Sequence, residues 1–521
     1  MPSPLISVLL LAVLPALYLG VRTGLARRPA VRWIGGGLLA VAIVWSWPSG
    51  GADFVYIKRL NLFLAAAASA LFTLRHLKIP WTLRPRSFGV ALAALASLAA
   101  VGWLNFFSFH GEHTWIHLHD VAHYYLGSKY YKELGYSSLY TAMLRAEAET
   151  HQDHFKALEA RDLESYDVVP IQALLRRSDA VKAAFTEQRW EDFRRDVEFF
   201  RGRLGPQYGT ILQDHGFNPT PVWALAGGWL ANRVPAGSHA GILALTLVDP
   251  LLILGSFALV VWAFGWITAV VAVLHFCIIF GATFGWTGGA FMRYLWFAAF
   301  IGFVSLLRKR RHAASGFALA VAASIRIFPV FFLLPLAFRA LRAVAARTRR
   351  RGPAFPNLLP PRRWLRFAGG FAAGLVLLAG ATLLPRGGAA HWRDFARNLS
   401  THVQTISPNM VGLTEALAYR PGEGKVTGEE FRALKVRRQR IYTVQIVLVF
   451  VPALLAAGLL SRRFSDAGSL VLAVPLLYLG LSLASYYYVL LVLLVLICRN
   501  RPRDLALVFA AEAIPYALML F

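Results

Sequence analysis

Residues 88–140 read FGVALAALASLAAVGWLNFFSFHGEHTWIHLHDVAHYYLGSKYYKELGYSSLY. The first part, 88–109, is apolar and long enough to cross a bilayer. The second part, 110–140, is not. Just past the end of the apolar run it places Glu112, Asp120 and the histidines His110, His113, His117, His119 and His123. The tyrosines Tyr124, Tyr125, Tyr130 and Tyr131 follow. Carboxylates and imidazoles at a membrane surface are costly unless something pairs or uses them. The junction therefore points to helices in lipid and to a place for chemistry. Asp120 is the leading candidate, as a general base toward an acceptor hydroxyl at the outer face.

The rest of the chain extends this reading. Of 521 residues 57% are hydrophobic, and the mean hydropathy is +0.52, far above that of a soluble protein. The formal charge of +27 would suggest nucleic acid in a soluble chain. Here the Lys/Arg excess sits in short loops between apolar runs, so the positive-inside rule accounts for it and no nucleic-acid partner is expected. Cys277 and Cys498 both lie in apolar runs and imply neither a disulfide nor a cysteine metal site. The N-terminal apolar run has no basic residue ahead of it and reads as a first span.

Spans are expected at residues 5–19, 33–47, 60–74, 88–109, 240–264, 266–282, 294–307, 367–384, 441–460, 470–483, 487–497 and 505–521. A broken segment at 313–338 completes the set, making about 13. That segment is flanked by basic residues on both sides and contains Arg326, Pro329 and Pro335, so two short helices meeting near SIRIFP are expected. The fold class is an all-α polytopic membrane protein. Its parts are N-terminal spans at 1–109, an outer-face loop domain at 110–220, a central bundle at 221–384, a second outer loop at 385–440 and C-terminal spans at 441–521. Of the 27 acidic residues, 17 lie between 110 and 219, which marks that stretch as aqueous. Within it, 140–160 and 172–203 have helical periodicity. The break at Asn218, Pro219 and Pro221 closes it, with helix formers resuming at Ala224. Residues 339–366 read as a basic cytoplasmic segment.

Each candidate residue has a plain alternative. Asp120 and Glu112 suit helix capping as well as catalysis. His113/His117 and His119/His123 are i, i+4 pairs that would share a helix face and admit a divalent metal. No HExxH frame accompanies them, and solvated interfacial histidines explain them equally. Arg326 inside an apolar run would neutralise a buried carboxylate, with Asp249 as a candidate, or hold a lipid phosphate through its guanidinium fork. Arg293 would share that task. No phosphate-binding glycine loop or nucleotide-binding α/β pattern is present, so an activated donor would be a lipid.

With these residues in view, the chain resembles the GT-C superfamily of membrane glycosyltransferases, and within it the polyprenyl-phosphate-mannose-dependent mannosyltransferases. The likeness lies in an acidic residue in a large outer loop after a span, and in three local pieces. These are HDVAHYYLGSKYYKELGYSSLY, SIRIFPVFFLLPL and SYYYVLLVLLVL. Two features depart from the family. Three spans precede the one before Asp120, and the histidine cluster is unusual. Asp53, in GADFVY, is a rival anchor.

The resemblance implies a GT-C-like fold and inverting transfer of a hexose or pentose from a polyprenyl-phosphate donor to a lipid or glycan hydroxyl. Asp120 would take the acceptor proton, and Arg326 and Arg293 would stabilise the departing phosphate. Trp115, Tyr124 and Tyr125 would stack on sugars, with Glu112 beside them, and His402 and Asn409 would complete the site. No cofactor is required. The setting would be the cytoplasmic membrane of a bacterium, among its lipids, with the site facing outward. The competing classes are a multi-pass transporter or channel and a histidine-ligated membrane metalloenzyme.

Overall fold

A computed structural model describes residues 53–110, 114–151, 154–234, 237–352, 358–384, 388–404, 409–418 and 429–520. The spans expected within 1–52, and the candidates Glu112 and His113, lie outside the described residues. The described chain is predominantly helical, with two pairs of short antiparallel strands.

Caps and breakers set the boundaries. Helix α1, Phe54–His76, starts at Asp53, whose carboxylate accepts the Tyr56 N–H at 2.6 Å. It therefore begins ahead of the apolar run at 60–74. Helix α2, Pro85–Trp103, has proline in its first turn and ends short of Phe109. Phe106 and Phe107 beyond it take φ of 54° and 61°, which a right-handed helix cannot continue. Helices α3, Leu118–Lys129, and α4, Leu139–His151, come next. The helix expected over 140–160 stops at His151. Strand β1, Glu159–Arg161, then pairs with β2, Val168–Pro170. The helix expected over 172–203 is three pieces: Ile171–Leu175, Ser178–Lys182 and α5, Glu187–Leu204. The Thr186 side chain starts the last of them by accepting the Arg189 N–H at 3.3 Å. Helix α6, Pro221–Ala231, begins at the proline itself, because Pro suits the first turn and Thr220 caps it.

The later helices are α7, Val248–Phe264; α8, Trp266–Ile278; α9, Leu295–Arg308; α10, His312–Ile325; and α11, Leu333–Arg351. They continue with α12, Arg362–Leu383; α13, Gly388–Gln404; α14, Thr443–Leu460; and α15, Pro502–Leu520. Between α13 and α15 strand β3, Met410–Val411, pairs with β4, Leu483–Ala484. The segment 313–338 is broken as its flanking charges require. Arg326 is extended, at φ −138° and ψ 125°, and a 3-10 turn leads into α11. The basic segment from 339 is helical as far as Arg351, so α11 carries its charges on a helix and not on a loop.

Six helical stretches among the described residues are long and apolar enough to cross a membrane: Phe54–His76, Pro85–Trp103, His239–Phe264, Phe328–Arg350, Arg362–Leu383 and Thr443–Arg463. Five shorter apolar helices run 10–17 residues. At 1.5 Å per residue a helix of about 14 residues rises only ~21 Å, less than the ~30 Å hydrocarbon core. The chain is a helical membrane protein on this composition.

The chain divides into two compact units. One holds Ile267–Gly288 and Leu494–Phe521 together with the N-terminal part up to Trp115; the other holds Ile116–Trp266 and Gly289–Leu493. In the first, α1 packs along α15, and Asn61 donates to the Tyr516 hydroxyl at 3.1 Å, which donates to the Ile278 carbonyl at 2.6 Å. In the second, α3 packs on α6, and α10 packs on α12. The α10–α12 approach depends on two glycines: a Cβ on Gly370 would run into the Ala313 carbonyl, and one on Gly316 into the Phe367 carbonyl. Small residues that let backbones meet are the usual means of helix association in lipid.

This contact gives a direct test. Gly370→Ala is expected to lower the melting temperature of detergent-solubilised protein, with a destabilisation of about 1–3 kcal/mol from overpacking. Gly369→Ala, where a Cβ meets nothing within 4 Å, is expected to leave it unchanged or slightly raised, since Ala favours helix. Equal losses from both would show that the close approach is not what the pair depends on.

Candidate functional site

The second unit carries the candidate site, and its parts are held by groups that satisfy interrupted backbone. His117 starts α3: its Nδ1 accepts the Asp120 N–H at 3.1 Å. Asp120 lies in the first turn and is 7% exposed. One of its oxygens accepts a charge-assisted hydrogen bond from Arg293 Nη2. The other, Oδ2, is buried with no hydrogen-bond partner among the described residues. A native structure rarely leaves a buried carboxylate oxygen unused without a reason.

Arg293 is aimed by Asp249. The two oxygens of Asp249 accept the backbone N–H groups of Arg293, at 3.0 Å, and Tyr294, at 2.9 Å, at the start of α9. The expected Asp249–Arg326 pair is therefore absent, because the orphan amides of a helix N-terminus occupy the carboxylate. Trp223 of α6 adds a bond to the Met292 carbonyl at 3.2 Å. The Arg293 guanidinium lies 5.2 Å from the Tyr486 ring centre.

Arg326 sits at the break after α10. The Thr220 hydroxyl, 2.6 Å from the Ser324 carbonyl, satisfies backbone freed there and also caps α6. The Arg326 guanidinium is 5.9 Å from the Tyr487 ring centre. Its Nε has no hydrogen-bond partner, and no carboxylate pairs with it among the described residues. Tyr124 packs on Phe217 and Trp223 with ring centres 6.1 and 5.2 Å apart, and its hydroxyl meets the Arg326 side chain. Burial pushes the Tyr124 phenol up to about 12 against the pull of Arg326, so it remains a protonated donor near pH 7. Tyr486 and Tyr487, 4.6 Å apart, line the same place.

A second cluster stands on α3. His119 Nε2 lies 2.8 Å from Asp214 Oδ2. His123 Nδ1 lies 2.9 Å from the His119 carbonyl, and its Nε2 lies 2.7 Å from the Tyr140 hydroxyl. Burial pushes the Asp214 carboxyl up, but the His119 bond and the neighbouring imidazoles hold it well below the usual carboxylate range. His402 lies 3.0 Å from the Tyr166 hydroxyl, its ring 5.3 Å from that of His215. Burial brings the His402 imidazole down to about 3, so it is neutral near pH 7.

Asp120, Arg293, Arg326 and Tyr124 thus come together. Tyr125 does not join them; it is fully buried against Phe200 and donates to the Val234 carbonyl at 2.8 Å. Trp115 belongs to the first unit, where it packs on Phe109 and Phe284 at 5.0 and 5.1 Å. Asn409 contributes its carbonyl, which accepts the Ser485 N–H at 2.6 Å beside the β3–β4 pair. Asp53 is an exposed helix cap. Of the expected histidine pairs, His119 and His123 are joined by Asp214, while His117 serves as a cap. Sequence reasoning missed Asp214, His215 and Tyr166, and the aiming role of Asp249. The Asp-His dipeptide ahead of the proline break was the available signal for the first two.

The Asp120–Arg293 pair is buried, with side chains 8% and 15% exposed, so removing one partner strands the other. Arg293→Met is expected to destabilise the protein by about 3–5 kcal/mol in denaturant unfolding, and adding Asp120→Leu should restore most of the loss. A double variant no more stable than Arg293→Met would show that the arginine acts by packing alone. Comparison with known proteins returns no match: no family model, no curated protein and no solved structure matches the chain.

Proposed function

We propose that the chain is an inverting glycosyltransferase of the GT-C kind. It would move a sugar from a polyprenyl-phosphate donor to an acceptor hydroxyl on a lipid or glycan. One observation carries the reading: a buried carboxylate with a free oxygen, Asp120, shares a tyrosine-lined place with Arg326, a guanidinium without a carboxylate partner among the described residues. A base and an unneutralised cation are the two groups this transfer needs.

In the proposed step the acceptor oxygen attacks the anomeric carbon, and its proton passes to Asp120 Oδ2. The bond from that carbon to the phosphate oxygen breaks, and polyprenyl phosphate leaves with the electron pair. Arg326, with Tyr124 as a protonated donor, meets the charge that develops on the phosphate. Arg293 keeps Asp120 in place through its other oxygen. Tyr486 and Tyr487 present ring faces to the sugar. No metal is required for this step. The proposed setting is a bacterial cytoplasmic membrane with the site outward.

Asp120→Asn keeps the shape and cannot take the proton. It also strands the Arg293 charge, so its melting temperature is followed; the folded variant is expected to bind donor like the parent and to transfer sugar about 10²–10⁴-fold more slowly, scored as release of polyprenyl phosphate from a panel of polyprenyl-phosphate sugars. Arg326→Lys keeps the charge but loses the fork, and should weaken donor use while the protein still folds. Full activity in Asp120→Asn would remove Asp120 as the base, whereas a parent that releases no polyprenyl phosphate from any donor would favour a transporter. For topology, a cysteine at the exposed Asp179, in a background without Cys277 and Cys498, should react with an impermeant thiol reagent on intact cells. Labelling only after lysis would overturn the outward orientation.

A further inference from the structure

We propose that His119, His123 and Asp214 form a binding site for a zinc-class divalent metal ion, distinct from the Asp120–Arg326 centre. The i, i+4 spacing on α3 puts both imidazoles on one helix face. The carboxylate arrives from 95 residues further along the chain. One donor atom from each residue lies within 4.8 Å of the others. Tetrahedral zinc, with bonds of about 2.0–2.2 Å, sets its donors roughly 3.3–3.6 Å apart, so the set would close by about an ångström around an ion. His119 Nε2 and Asp214 Oδ2, hydrogen-bonded at 2.8 Å, would part by about half an ångström to take an ion in place of the shared proton.

The surroundings resemble the outer shell of a metal site. His123 Nδ1 lies 2.9 Å from the His119 carbonyl, closer than Nε2 lies to the Ile211 carbonyl at 3.3 Å, so the proton belongs on Nδ1 and Nε2 is the available donor atom, within 4.8 Å of those of Asp214 and His119. Without an ion the Nε2 lone pair accepts a hydrogen bond from the Tyr140 hydroxyl at 2.7 Å. An ion would take the lone pair in its place. The hydroxyl, held by the Gly216 N–H at 2.9 Å, would then be free to donate to a metal-bound water. Asp214 is held from behind as well. The buried Arg161 donates through Nε to the Gln213 and Asp214 carbonyls at 3.1 and 2.9 Å, which fixes this irregular stretch.

The site is also reachable. The His119 and Asp214 side chains are 34% and 41% exposed, while His123 is 3% exposed at the inner end. Two imidazoles and one carboxylate with an open side match the three-ligand sets of zinc sites that keep a position for water or a substrate oxygen. Imidazole donors favour zinc over magnesium or calcium, which prefer oxygen. The hydrogen bonds hold the cluster together without an ion, so the protein would fold in both forms.

The test uses full-length protein purified without a polyhistidine tag, stripped with a chelator and titrated with zinc chloride. Zinc is counted by elemental analysis after gel filtration. About one equivalent is expected in the parent. His119→Ala and Asp214→Asn, at partly exposed positions, should lower the affinity by upwards of about 10–100-fold, the loss that even outer-shell changes produce. Their zinc-free melting temperatures report whether they fold. Asp120→Asn should bind zinc like the parent, so failure of the sugar-transfer reading and failure of the zinc site show in different measurements. Less than a tenth of an equivalent in the parent overturns the proposal. So does unchanged affinity in both folded variants.

Discussion

The arrangement of the second unit depends on one buried ion pair, Asp120 with Arg293. Taking both charges out of water is costly, and their attraction offsets this only where geometry and further hydrogen bonds are good. The chain supplies both on each side. His117 fixes the turn that carries Asp120, and Asp249 fixes the turn that carries Arg293. Asp249 does so through main-chain amides, so both its oxygens are occupied by a helix N-terminus. One acidic residue positions the cation and another meets it. The oxygen of Asp120 that Arg293 does not reach is buried without a hydrogen-bond partner among the described residues.

Around this pair the helices are interrupted. The stretch before α9, the break at Arg326 and the segment ahead of Tyr486 all depart from regular helix. In a chain rich in membrane-spanning helices, irregular backbone survives only where its polar groups find partners. They find them here in Asp249, in the Thr220 hydroxyl and in the Asn409 carbonyl. The breaks let Arg293, Arg326, Tyr486 and Tyr487 turn toward one place. Unbroken helices would have spread them along separate faces.

This also explains which parts of the site the sequence revealed. The break in 313–338 was legible because basic flanks and prolines forbid a single straight span, and Arg326 was legible because a lone cation in an apolar run is conspicuous. Asp120 stood out as a carboxylate placed just past the end of an apolar run. The partner of Asp249 was not legible: composition suggests another side chain, whereas the helix-start amides that bind it leave no mark in a sequence. Tyr125 and Tyr124 are neighbours of one type, yet a rotation of about 100° sends the first into the core and the second to Arg326. Trp115 shows the limit of proximity in sequence. It is near Asp120 along the chain but packs in the other unit.

Helix α3 accounts for the density of unusual residues with which the sequence draws attention to itself. Asp120 and Tyr124 form one i, i+4 stripe, and His119 and His123 form the next, about 100° around the helix. The first stripe faces the two arginines; the second faces Asp214 and Tyr140. Neither stripe is free to drift. The His117 cap fixes the start of the helix, and at its far end Ser128 meets Gly228 so closely that a Cβ there would collide with the Ser128 carbonyl. A rotation that improved one stripe would withdraw the other from its partners. His119 and Asp120, on successive residues, therefore belong to two different environments, and the rigidity of a single short helix is what keeps both in register.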